Sequence, residues 1–175
     1  MIARELAVAV ARRAGLAGRM LDVDVARQRR ELWCWAACAT AVSKFYDPAS
    51  AWTQCGVANA TLAMTTCCQG DPDCVRTANV YDALMHTANL GDRLAAPVRR
   101  RRLVRELNGG RPVVVRVKLE LGHFLVVDGY RPWWGSWRIR VHDPAYPRTV
   151  ELTLDALRDA YDHRGMWTHT YETVP

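Results

Sequence analysis

The run Cys34–Tyr46 constrains this chain more than any other stretch. Ala36, Ala37, Ala39, Ala41, Val42 and Phe45 leave it almost no polar face. A helix of that composition cannot lie on a surface, so it predicts a central helix enclosed on most sides by the rest of the fold. Asp47-Pro48 ends it, because the residue before a proline is driven out of the helical region. With 175 residues and 50% from the hydrophobic set, the chain can bury a core of its own. One domain over residues 1–175 is expected, with 1–27 as an N-terminal extension, 28–110 mainly helical and 111–175 rich in sheet.

Around that helix the periodicity changes once. Residues 1–20 carry Leu6, Val10, Ala14 and Ala17 at helical spacing, residues 21–31 read as extended, and Trp52 to Met64 predicts a second helix before a Gly70-Asp71-Pro72 turn. Asn79 to Leu90 and Val98 to Leu107 predict two more, the former capped by Asn79 and the latter closed by Asn108-Gly109-Gly110. Beyond residue 110 the period is that of strands: 111–119, 123–130, 137–142, 149–152 and 166–172, with a short helix at 154–161. The short turns between strands favour antiparallel neighbours. The fold class expected is α+β, with an N-terminal helical part packed on a C-terminal antiparallel sheet.

The formal net charge is +6, from 24 basic and 18 acidic residues, and all basic residues except Lys44 and Lys118 are arginine. No aromatics interleave with the densest cluster, Arg99 to Arg102, which reads as a solvated helix start, so nucleic acid is not the expected partner. No run approaches the 18 or more apolar residues of a membrane span. Residues 1–20 contain Glu5 and four arginines and form no secretory signal. A secreted or translocated bacterial protein, such as an effector, is nevertheless expected over a cytoplasmic one.

All six cysteines fall between residues 34 and 74. They lack the paired spacing of zinc modules, so neither metal nor other cofactor is expected. If Cys34 is a free thiol, parity allows at most two disulfides. Cys38, one turn below Cys34, is the candidate for an inert buried cysteine. Bridges from Cys55 to one of Cys67 and Cys68, and from the other to Cys74, fit the remainder without being fixed by the sequence.

Chemistry concentrates in four places. Cys34 stands at a helix start, where free backbone donors and the helix dipole favour a thiolate, although a small buried residue in an apolar helix is the plain alternative. Gln28, six residues earlier, can donate to an oxyanion beside the Cys34 amide. His123 follows Gly122 and opens an apolar strand, where it can serve as acid and base, with His142 its rival. Asp143 ends the following strand and can orient His123; Asp128 lies five residues along the same strand as His123, about 16 Å away if extended. Trp33 and Trp35 are expected to wall off water, and Trp133 and Trp134 either to line a substrate groove or to cap the sheet.

In this order of Gln28, Cys34, His123 and Asp143 the chain resembles the papain-like cysteine peptidases. It is most similar to the bacterial AvrRpt2-type (C70) group and more distantly to the C39 peptidases that process double-glycine leaders. Leu32-Trp-Cys-Trp-Ala-Ala, Gln54-Cys55 and Cys67-Cys68 carry the likeness, which covers residues 25–150 or so. It implies a papain-like fold and a cysteine endopeptidase acting on a peptide or protein substrate as a monomer, through a Cys34 thioester. The same site also suits a thiol-dependent acyltransferase or deamidase, and the same fold a binding module without catalysis.

Overall fold

The computed structural model describes residues 18–146 and 148–175. The central helix spans Cys34–Tyr46 (α1), and every residue from Cys34 to Ser43 is buried, as its composition demands. Asp47 is extended and ends it. The second helix, Gln54–Leu62 (α2), begins where the Thr53 side chain accepts the Gly56 amide at 3.1 Å and stops where Ala63 turns left-handed. Two 3-10 turns, Cys67–Gln69 and Pro72–Cys74, follow. They are bound by disulfides Cys55–Cys68 and Cys67–Cys74, while Cys34 and Cys38 stay free. Helix Val80–His86 (α3) is capped by Asn79, which accepts the Tyr81 amide at 3.0 Å.

Sequence expectation and structure part company just after α3. The helix expected to reach Leu90 ends at His86, Ala88 turns at positive φ, and Leu90–Leu94 becomes a strand. That strand, β2, was not expected, because Leu-Gly-Asp-Arg-Leu alternates weakly and its middle three residues are exposed. Residues 1–17 of the first expected helix lie outside the described residues, and Arg19–Met20 forms a short strand, β1. Helix Arg100–Asn108 (α4) follows.

Val113–Lys118 (β3), Gly122–Trp133 (β4), Ser136–Asp143 (β5), Arg148–Thr153 (β6) and Met166–Thr173 (β7) build the sheet, with helix Leu154–Asp159 (α5) between the last two. The order is β2-β7-β3-β4-β5-β6, every pairing is antiparallel, and β1 pairs with β4. Val113, Val114, Val115, Leu125, Val126 and Val127 are fully buried at its centre. Each such side chain stabilises the fold by about 1.5–3 kcal/mol relative to an exposed one. This is an α+β fold with N-terminal helices around a buried central one and a C-terminal antiparallel sheet, in the papain-like arrangement.

Helix and sheet meet where α1 packs on β4. Three register shifts interrupt the sheet among the described residues, and the one between β4 and β5 lies between Val127↔Val141 and Gly129↔Arg140, leaving Asp128 as an extra residue on β4. A bulge of this kind re-aims the side chain it carries. Here Asp128 turns wholly inward, pairing with Arg140 at 2.7 Å and standing 2.8 Å from His142 Nε2.

Candidate functional site

The cleft between the start of α1 and the sheet is organised by strand register. Val126 pairs with His142, and the same register sets Asp143 opposite Leu125. Opposite residues of an antiparallel pair share a face, as do alternate residues of one strand, so Asp143 and His123 are diagonal neighbours. His123 Nε2 and Asp143 Oδ1 lie 2.7 Å apart. His142, next to Asp143, necessarily points to the opposite face, toward Asp128.

Cys34 is the first residue of α1, and its thiol is hydrogen-bonded to the His123 ring. Burial disfavours a charge on His123, but the hydrogen bonds to Asp143 and Cys34 outweigh it and lift its pKa from 6.5 to about 9. Asp143 receives more than the imidazole: Tyr161 donates its hydroxyl to Oδ2 at 2.7 Å and Ala145 its amide to Oδ1 at 2.8 Å. Burial works against this carboxylate too, and these donors hold it below its usual range nonetheless. Cys38 is fully enclosed; burial, followed by the charges of Cys34 and Asp143, pushes its thiol well up.

The segment before α1 is pinned by a side chain that the sequence marked only as part of the family likeness. Gln54, buried at the start of α2, accepts the Arg29 amide at 2.8 Å and donates to the Arg27 carbonyl at 2.9 Å. The intervening Gln28 donates its backbone amide to the Pro144 carbonyl at 2.7 Å. Its side-chain amide donates to the carbonyls of Arg30, at 3.1 Å, and Glu31. The donor expected beside Cys34 is thus engaged with its own loop.

The tryptophans divide. Trp33 and Trp35 are buried, and their indole N–H groups donate to the carbonyls of Cys74 and Arg76, at 2.7 and 3.3 Å, so they anchor the disulfide-bound segment; Trp35 also lines the cleft. Trp133 and Trp134 are not brought to the cleft. They occupy the β4–β5 hairpin, ten residues along β4 from His123, which is about 33 Å of extended strand. Trp134 is 91% exposed, and the Arg131 guanidinium covers the Trp133 ring at 4.5 Å.

The cleft has a volume of ≈ 450 Å³. Leu32, Trp35, Ala78, Leu121 and Phe124 form apolar walls; Glu31, Glu120 and Arg164 stand at its edge. Thr77, His123, Asp143, Tyr161 and Asp162 also line it, so the cleft offers both apolar surface and hydrogen-bonding groups. Among the described residues no group of His, Cys, Asp and Glu could hold a metal ion.

The cysteines correct the expectation of a cysteine endopeptidase. Four of the six are locked in disulfides. The two free ones are buried, Cys34 with 6% of its surface exposed and Cys38 with none. A nucleophile must reach a substrate carbonyl and an oxyanion donor must face it. With no thiol standing open and the Gln28 amide turned to Arg30 and Glu31, these cysteines argue against an active Cys34, His123, Asp143 and Gln28 mechanism of peptide hydrolysis, and the thiol-protease assignment falls with it.

Tyr161 went unnoticed in the sequence because nothing around it signals a role; only the turn after α5 carries its hydroxyl back to Asp143. Gln54 was marked by its place beside Cys55, but its work on residues 27–29 is a property of the folded chain. Residues 20–172 match the model of the Peptidase_C39 like family. No curated protein matches the chain significantly.

Proposed function

Since the chain belongs to the Peptidase_C39 like family, and its thiols are closed, we propose that it is a papain-like binding module that holds an extended peptide or protein segment without cleaving it. The observation that carries this reading is the ≈ 450 Å³ cleft, whose lining combines apolar side chains with polar ones and includes the buried Cys34. A peptide or protein, and not nucleic acid, is the partner. Several of the arginines that would meet a phosphate backbone face carboxylates instead: Arg102, Arg111, Arg131, Arg140 and Arg158 are all in ion pairs. The reading needs one copy of the chain only. Among the described residues no helix is long and apolar enough to cross a membrane. Two disulfides support a place in an oxidising compartment, outside the cytosol.

A second reading has its own observation. Cys34 is hydrogen-bonded to His123, which is hydrogen-bonded to Asp143. That relay suits a thiol-dependent acyltransferase or deamidase, in which Cys34, His123, Asp143 and Gln28 would hold their sequence-assigned roles once a bound segment reopened the thiol. The finer likeness to the AvrRpt2-type group belongs to this reading as well, resting on Leu32-Trp-Cys-Trp-Ala-Ala and Cys67-Cys68.

Fluorescence anisotropy with a library of labelled eight-residue peptides tests the first reading, with mass spectrometry of the same mixtures. Saturable binding, retained in Cys34→Ala and without change in peptide mass, is the expected result. A peptide recovered cleaved would overturn it. Transfer of an acyl group to added hydroxylamine, lost in Cys34→Ala and His123→Ala, would replace it by the second reading.

A further inference from the structure

Past Gly122 the cleft runs into a second hollow of ≈ 460 Å³. The two share Thr77, Ala78, Leu121, Gly122 and Phe124, so a chain lying over Cys34 can extend from one into the other. The second hollow has a basic wall. Arg116 pairs with His169 across β3 and β7, and Arg93 with Tyr171 across β2 and β7. Residues 169 and 171 alternate on β7, so all four side chains emerge on one face, and all four line the hollow.

Among the described residues, neither Arg93 nor Arg116 has a carboxylate within ion-pair distance, whereas Arg102, Arg111 and Arg140 each do. Arg116 donates to Thr168 Oγ1 at 3.1 Å, and Arg93 lies over the Tyr81 ring at 5.5 Å. The carboxylate that acts on this wall is Asp82 of α3, felt at Tyr171. His169 reports the resulting field: burial, then Arg116 and Arg93, hold its imidazole below the ordinary range. Gly122 is part of the construction, since a Cβ there would collide with the Arg116 guanidinium. The glycine before His123 thereby lets a positive group lie at the junction of the two hollows.

We infer that the hollow walled by Arg93 and Arg116 is an anionic subsite, which takes a carboxylate of the peptide held in the cleft. A guanidinium presents a planar fork of donors that matches a carboxylate, and two of them on one face without a carboxylate of their own favour an anion over a neutral group. The carboxylate is supplied by a Glu or Asp side chain or by the peptide's C-terminus. This inference deepens the peptide-binding reading and rests on it for the rest of the ligand.

The test separates the two claims by using probes smaller than a peptide. N-acetylglutamate N-methylamide carries a side-chain carboxylate, N-acetylglycine a terminal one, and N-acetylglutamine N-methylamide neither. Titrated into protein labelled with 15N-arginine and 15N-histidine, at least one acid is expected to move the Arg93, Arg116 and His169 resonances. The neutral amide should bind about tenfold more weakly or not at all. Arg93→Gln and Arg116→Gln should each weaken the acid about tenfold and leave the neutral probe unchanged. Arg93 is exposed, so its substitution carries the test should Arg116→Gln fail to fold. Equal response to acid and amide, or acid binding indifferent to Arg93→Gln, would overturn the subsite. In the peptide library, binding without any preference for acids would overturn it while leaving the module standing. Acid probes that bind where no peptide does would keep the subsite and remove the module.

Discussion

The helical half and the sheet half of this molecule hold their shape by different means. Between Trp33 and Arg76 the chain is tied over short distances: disulfides span separations of 13 and 7 residues, and Trp33 and Trp35 hang their indoles on the carbonyls of Cys74 and Arg76. From Val113 onward order comes from register, with buried valines on β3 and β4 and a buried ion pair at the bulge. The site draws one partner from each half, Cys34 from the cross-linked side and His123 with Asp143 from the registered side. Anything that locally opens one half should therefore disturb the contact before the other half opens.

The largest effect is expected at the bulge. Arg140→Leu leaves Asp128 fully buried with His142 as its remaining ion-pair partner among the described residues, and removing one partner of a buried pair costs about 3–5 kcal/mol. Urea unfolding followed by tryptophan fluorescence and by circular dichroism should show one transition at lower denaturant in both. A change confined to one probe would mean that the sheet is not a single cooperative unit.

Replacing Cys67 and Cys74 together by serine should cost about 2.5 kcal/mol, from the entropy of opening a short loop. Hydrogen exchange should accelerate at residues 54–76 and not at 113–118. Equal acceleration in both would break the contrast between the halves.

Protonation gives a smaller effect with a definite sign. His123 has a folded pKa near 9 against an ordinary 6.5, so the stability its charge supplies is full below 6.5 and is lost as pH rises through 9. The melting temperature should fall by several °C across that window in the native chain and stay flat in His123→Gln. Asp143 works in the other direction: its folded pKa is depressed, so its contribution is present above the ordinary carboxylate range and disappears as pH falls through the lowered value. A melting temperature indifferent to pH between 6.5 and 9 would show that the ring is neutral in the folded protein.

The smallest effect is expected from Thr53→Ala, which removes the cap of α2 and should cost about 1 kcal/mol by urea titration. The Cys55–Cys68 bridge should keep the helix in place, so that a loss well beyond this would mean the cap, and not the bridge, sets where α2 begins.

Much of the architecture was legible because its signals were local. The apolar run from Ala36 to Phe45 could only be an enclosed helix, and Val113 to Val117 could only be a strand. Leu90 to Leu94 was missed because an edge strand with three exposed residues has no alternation to read. At the site, His123 and Asp143 could be paired in advance, since adjacent strands make diagonal neighbours. The orientation of Gln28 could not, because it depends on how Gln54, 26 residues later, grips the loop around it. Nor could the distance of Trp133 and Trp134 from the cleft, which follows from β4 running on for ten residues past His123. Burial of Cys34 is a tertiary property as well, and it is what turned a reading of hydrolysis into one of binding.

The bulge at Asp128 has a practical consequence for anyone wishing to remodel this protein. It splits β4 and β5 into two stretches whose side chains are phased independently, one reaching His123 and Asp143, the other ending in the hairpin at Trp133 and Trp134. Because Arg140 locks the boundary, the hairpin can be lengthened, shortened or exchanged for a foreign loop without rotating any residue of the cleft. The tip of that hairpin is a natural port for grafting.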